Sequence, residues 1–165
     1  MIPFTITDRD MERAESHLLG YGETFSNQDK WIGALGEIAV YNWINQWSPC
    51  YFSDQGCSYD ILLGDARTVE VKTVRTTVSP QPHYMVNLAV EQWEKKLSVD
   101  VWVFVRVHDS LEHGWIVAYC GADKRDRFRS HFAGELMENG HQYRKDTMDC
   151  PISELDDPAR LMVNA

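Results

Sequence analysis

Ser58-Tyr59-Asp60-Ile61-Leu62-Leu63-Gly64-Asp65-Ala66-Arg67-Thr68-Val69-Glu70-Val71-Lys72-Thr73-Val74 is the stretch that decides the fold. Residues 58–63 read as a short strand, and Gly64-Asp65 supplies the turn signal. Residues 68–74 alternate polar and apolar at period two, the signature of a strand with one buried face. Val69 and Val71 then point into the core, while Glu70 and Lys72 share the opposite face. A turn near Asp65-Ala66 folds the second strand back on the first, so that Asp60 comes opposite Glu70. Two carboxylates and one ammonium group are thereby expected at one place on a strand pair.

Such a group suits phosphodiester hydrolysis. Carboxylate oxygens bind Mg²⁺, which takes one or two of them and keeps waters and a phosphate oxygen. The metal neutralises the scissile phosphate and acidifies a bound water. A nearby lysine can orient or deprotonate that water, or stabilise developing charge.

Working outward, Thr7-Asp8-Arg9-Asp10 predicts a helix N-cap with acids in the first turn, and that helix ends at Gly20-Tyr21-Gly22. Ser26-Asn27 opens a second helix. Its apolar residues Trp31, Leu35, Ile38, Ala39, Trp43 and Ile44 recur at helical spacing, and it runs to about Trp47. Beyond the hairpin, residues 83–90 are expected to form a strand that enters a helix over Glu91–Leu97. Val99–Val107 is a continuous apolar run, expected as a central strand with both faces buried. Gly114–Cys120 is another strand. Lys124, Phe128, Phe132 and Leu136 lie at fourfold spacing, which predicts a helix over 122–136. The remainder, an acidic C-terminal tail over 137–165, is expected to be mostly loop, with a short element near Ser153–Leu155. The whole reads as a single α/β domain with a mixed central sheet flanked by helices, its core over about 28–136.

Asp60-x9-Glu70-Val71-Lys72 resembles the signature of the PD-(D/E)xK nuclease superfamily, which includes restriction endonucleases and Holliday-junction resolvases. Gly33-Ala34-Leu35-Gly36-Glu37-Ile38-Ala39-Val40 resembles the first core helix of that superfamily, whose glutamate often reaches the metal site; here that residue is Glu37. The proline that usually precedes the first aspartate is replaced by Tyr59. The resemblance covers about 28–107. It implies a restriction-endonuclease-like core and a DNA endonuclease that needs Mg²⁺ or Mn²⁺. Asp60 and Glu70 would bind the metal, with the Val71 carbonyl as a third ligand. Lys72 would act on the water, Glu37 would support the metal, and the products would carry 5′-phosphate and 3′-hydroxyl ends. Gln92, on the following helix, would face the site. The contrasting expectation is a nuclease-fold module that binds nucleic acid or protein without cutting.

The chain has 165 residues, of which 44% are hydrophobic and 12% aromatic, enough to bury a core. Its net charge of −9 opposes unassisted binding to phosphates, but local fields matter more than the sum. The 124–129 stretch holds four basic residues and one acid, so Lys124, Arg125, Arg127 and Arg129 are candidate DNA contacts, as is Arg75 beside the motif. A domain this small is expected to choose its substrate as a homodimer or with a specificity partner. Cys50, Cys57, Cys120 and Cys150 lack paired CxxC spacing, and the six histidines lack the HxxxH spacing of a zinc site. Reduced thiols, no iron–sulfur cluster, no signal peptide, no membrane segment and a cytoplasmic location are the corresponding expectations.

Overall fold

The structure, a computed structural model, describes residues 1–20, 28–54, 57–96, 98–137, 140 and 142–161. The expected helix stop at Tyr21-Gly22, the expected start at Ser26-Asn27, Leu97 and His141 lie outside these residues. The architecture is mixed α/β. In chain order the elements are β1 (Ile2–Thr5), α1 (Asp8–Gly20), α2 (Gln28–Ile44), β2 (Cys50–Phe52), β3 (Ile61–Leu63) and β4 (Thr68–Thr76). There follow β5 (Met85–Ala89), α3 (Val90–Lys95), β6 (Val101–His108), β7 (His113–Gly121), β8 (Arg129–His131) and β9 (Thr147–Pro151).

A six-stranded mixed sheet has the order β1-β7-β6-β4-β3-β2. The hairpin forms where its sequence predicts, although its first strand, expected over 58–63, spans only Ile61–Leu63. Leu63 and Arg67 close the turn, with Asp65 accepting from the Arg67 N–H, and Ala66 takes φ 72°. Strands β2, β3 and β4 run as an antiparallel meander, whereas β4 and β6 pair parallel over eight positions, from Val69↔Val101 to Thr76↔His108. Parallel neighbours need a crossover, and the chain between them carries β5 and α3. Asp100 pins this parallel pair at its start, because its Oδ2 accepts from both the N–H and the hydroxyl of Thr68 at 2.8 Å.

The apolar run of β6 is central and buried on both faces, as its sequence predicts. Val101, Val103, Val105 and Val107 join Val69, Val71 and the α2 residues Leu35, Ile38 and Ile44 in one cluster. Trp102 and Phe104 face the other way, against Trp93 of α3, Phe128 and Cys150. Helix α2 lies close on β4. A Cβ at Gly36 would stand 1.9 Å from the Thr73 hydroxyl oxygen, so glycine is required there by space. The N-cap at Thr7 is present: the Asp10 carboxylate accepts from the Thr7 N–H and hydroxyl, at 3.0 and 2.6 Å.

Two expectations are corrected. No α-helix covers 122–136. Residues 122–127 form a 3-10 turn, β8 follows, and Gly134 takes φ 92°. The apolar spacing misleads because Phe132 and Leu136 are exposed, so no buried stripe exists for a helix to present. The acidic segment is not mostly loop either. Its β9 is the middle strand of a second sheet, β5-β9-β8, and Cys150, Ile152 and Leu155 are core residues. Among the described residues no helix is long and apolar enough to cross a membrane.

Candidate active site

Strand β3 begins at Ile61 opposite Val69, and Asp60, just before it, continues that register toward Glu70. The Asp60 N–H donates to the Val69 carbonyl at 2.9 Å. Its side chain then takes over where the ladder stops: Oδ2 accepts from the Val71 N–H at 2.7 Å. The Asp60 carboxylate is therefore anchored to the β4 backbone between Glu70 and Lys72. Because the N–H and C=O of one strand residue face the same neighbour, the Val71 carbonyl is also directed to this uncovered side of β4.

Glu70 and Lys72 leave the sheet on the α3 side, where two residues one helical turn apart receive them. The Lys72 ammonium donates to Gln92 Oε1 at 2.8 Å, and Lys96 pairs with Glu70 Oε2 at 2.6 Å. Glu37 comes from α2, and its Oε2 meets His17 Nε2 of α1 at 2.8 Å.

Electrostatically the site is crowded with carboxylates. Burial, then the charges of Glu37 and Glu70, push the Asp60 carboxyl well above its usual range; the Val71 N–H and Lys96 oppose this only in part. Burial likewise raises Glu70, against the hydrogen bond and charge of Lys96. Burial, helped by Lys145, lowers Lys72, so its ammonium gives up a proton more readily than an exposed lysine would.

The donor set suits a hard divalent cation. Among the described residues Asp60 Oδ1 and Glu70 Oε1 accept no hydrogen bond. No three His, Cys, Asp or Glu of the described residues form a metal-holding group. An ion here would thus be held by one or two carboxylates, backbone oxygen and water. The site opens on two sides. Asp60 and Glu37 border a cleft of about 290 Å³ together with His17, Lys30 and Tyr59. Lys72 opens on a larger groove of about 690 Å³.

The other expected contacts are elsewhere engaged. Arg75 pairs with Asp109 at 2.5 Å. Lys124 closes on Asp156 at 2.6 Å, Arg125 donates to the Val99 carbonyl and lies over the Trp93 ring, and Arg127 donates to the Glu154 carbonyl. Arg129, two-thirds exposed, reaches Glu154 at 3.3 Å. Residues 124–127 thus make local ties rather than a free basic face, and only Arg129 at the end of the stretch keeps an exposed, loose pair. Sequence reasoning missed Lys96 and His17. The i, i+4 spacing of Gln92 and Lys96, matching the i, i+2 spacing of Glu70 and Lys72, was the available signal for the first. Nothing local marked His17. Three of the four cysteines are buried, with thiols pushed up to about 11 for Cys50 and Cys150 and about 12 for Cys120, which makes them inert packing groups.

Neither a model of a known protein family nor a curated protein matches the chain.

Proposed function

We propose that this protein is a metal-dependent DNA endonuclease of the PD-(D/E)xK type. The observation that carries the proposal is the 2.7 Å bond from the Val71 N–H to Asp60. It fixes the aspartate of one strand between the Glu70 and Lys72 of the next, the juxtaposition that the motif requires. The order of elements supports the same reading. A helix bearing Glu37 precedes an antiparallel meander, and an α3 crossover leads to a strand parallel to the one with Glu70, which resembles the core of that superfamily.

In this reading Asp60, Glu70 and the Val71 carbonyl would hold Mg²⁺ or Mn²⁺. Once bound, the metal neutralises charge on the scissile phosphate and acidifies a water. Lys72, whose burial makes its ammonium give up a proton more readily, would orient the attacking water as the ammonium or, once neutral, accept the water's proton, and Gln92 would hold its nitrogen in place. His17 orients Glu37 toward the same cleft.

A second reading, a module that binds nucleic acid or protein without cutting, draws on one specific contact. Lys96 already neutralises Glu70, which competes with a cation for that carboxylate. Supercoiled, linear, single-stranded and branched DNA incubated with Mg²⁺, Mn²⁺ or EDTA separates the two. Cleavage in either metal, abolished by EDTA and by Asp60→Asn and reduced about 10²- to 10⁴-fold by Lys72→Ala, is expected. Intact DNA in both metals, with binding retained, selects the second reading.

A further inference from the structure

The groove beside Lys72 does not end at the catalytic lysine. Its walls come from Asn87 of β5, Gln92 of α3 and the 142–145 segment before β9. A second cavity of about 530 Å³ shares Asn87, Met137 and Tyr143 with it and continues along the small sheet to Arg106, Arg129 and His83. The two therefore make one trough that leads away from the candidate active site.

Its chemistry differs from the rest of this acidic chain. Among the described residues the lining of both cavities contains one carboxylate, Asp149, which is 2% exposed. That group is already engaged by the Tyr143 hydroxyl at 2.5 Å and by His131 Nε2 at 3.1 Å. His131 stacks on Tyr143, with ring centroids 4.6 Å apart, so the shared wall is braced. The cations are differently placed. Arg144 and Lys145 are exposed, and neither has an ion-pair partner among the described residues. Among the described residues Arg129 has only an exposed carboxylate at 3.3 Å, a kind of pair worth little in water. At the floor, Arg106 donates to the Met85 carbonyl while its buried Nε has no partner.

We infer that this trough is the track for the sugar–phosphate backbone of a nucleic-acid strand, with Arg144, Lys145 and Arg129 as its phosphate contacts. The inference rests on the nuclease reading for the point at which the strand is cut, not for its binding. It also explains how a chain of net charge −9 can hold a polyanion. Arg75, Lys124, Arg125 and Arg127 close on the protein's own carboxylates and carbonyls, whereas Arg144 and Lys145 along the trough are left to meet phosphate.

The test is fluorescence anisotropy with a short labelled DNA strand and its duplex, in EDTA and in Ca²⁺, between about 50 and 200 mM salt. Arg129→Ala, Arg144→Ala and Lys145→Ala are combined in one variant, and Lys124→Ala with Arg127→Ala in another, both checked for a wild-type melt. The first variant is expected to bind more weakly, with the slope of log Kd against log salt reduced by about 2 to 3. The second is expected to match the wild type. Unchanged affinity and slope in the first variant, equal losses in both, or no binding by the wild type overturns the track. Cleavage by the wild type in Mg²⁺ or Mn²⁺ is read separately. A wild type that cuts beside a first variant that binds and cuts equally well removes the track and keeps the nuclease. A wild type that never cuts, beside a first variant that no longer binds, keeps the track and removes the nuclease.

Discussion

At Asp60 three carboxylates approach one another in a partly buried setting, and the aspartate is the one whose charge is least welcome. Its anchor is a single backbone N–H. An arrangement that costs stability and persists is a mark of a site tuned for a ligand. Asp60→Asn keeps an oxygen to accept from Val71 and removes the repulsion with Glu37 and Glu70. In EDTA the variant is expected to melt above the wild type, by about 1 kcal/mol or roughly 2–4 °C. Mg²⁺ at ten times its Kd should stabilise the wild type by about 1.4 kcal/mol and leave the variant unmoved. Calorimetry with and without the metal reads both effects. A variant that melts lower in EDTA would show that the carboxylate serves the fold rather than an ion.

Helix α2 and strand β4 meet with no space to spare where Gly36 lies over Thr73. Gly36→Ala places its Cβ within 2.9 Å of three Thr73 side-chain atoms, including the buried, unpartnered hydroxyl. The expected cost is about 1–3 kcal/mol of stability, read as a lower denaturation midpoint in urea with an unchanged slope. Because α2 also carries Glu37, cleavage should fall further than the loss of folded protein accounts for. Gly33→Ala, which faces open space in the structure, is the matched control. Helix–sheet contacts of this kind are hard to read from sequence, because Gly33 and Gly36 look alike there and only the docking of α2 on β4 tells them apart. The turn and the second strand of the hairpin were legible, since period-two alternation and the Gly64-Asp65 turn fix both faces and register, whereas the first strand proved shorter than its sequence suggests. Strand β6 was legible from its unbroken apolar run. The short strands β1, β2 and β8 were not, because three or four residues are too few to display a period, and their pairing is decided by partners distant in sequence. The same limit hid the ties from Lys96 and His17, which depend on how α3 and α1 dock rather than on any local pattern.

On the scale of the whole molecule, the acidic C-terminal segment changes meaning. Seven of its residues between Glu135 and Arg160 are carboxylates, and composition alone suggests a solvated appendage. Its apolar residues contradict that. Cys150 is fully buried, Ile152 and Leu155 close the cluster around Trp102 and Phe104, and Leu161 reaches the cluster on the α2 side. Asp156 exchanges two backbone hydrogen bonds with Tyr119 of β7, which ties the segment to the main sheet. Without β9 the strand β5 would lose its partner, and Asn87, at the centre of the proposed track, would lose its support. Ending the chain after Gly134 should therefore abolish cooperative folding rather than trim a tail. The expected readout is loss of the thermal transition and of near-ultraviolet circular dichroism, with exposed apolar surface that binds a hydrophobic dye. Cleavage and DNA binding should disappear together with the transition. A truncated chain that still melts cooperatively would mean that the main sheet and α2 suffice as a folding unit. The second sheet would then be an addition concerned with substrate alone, and the truncated chain would keep the Asp60–Val71 anchor while losing the trough.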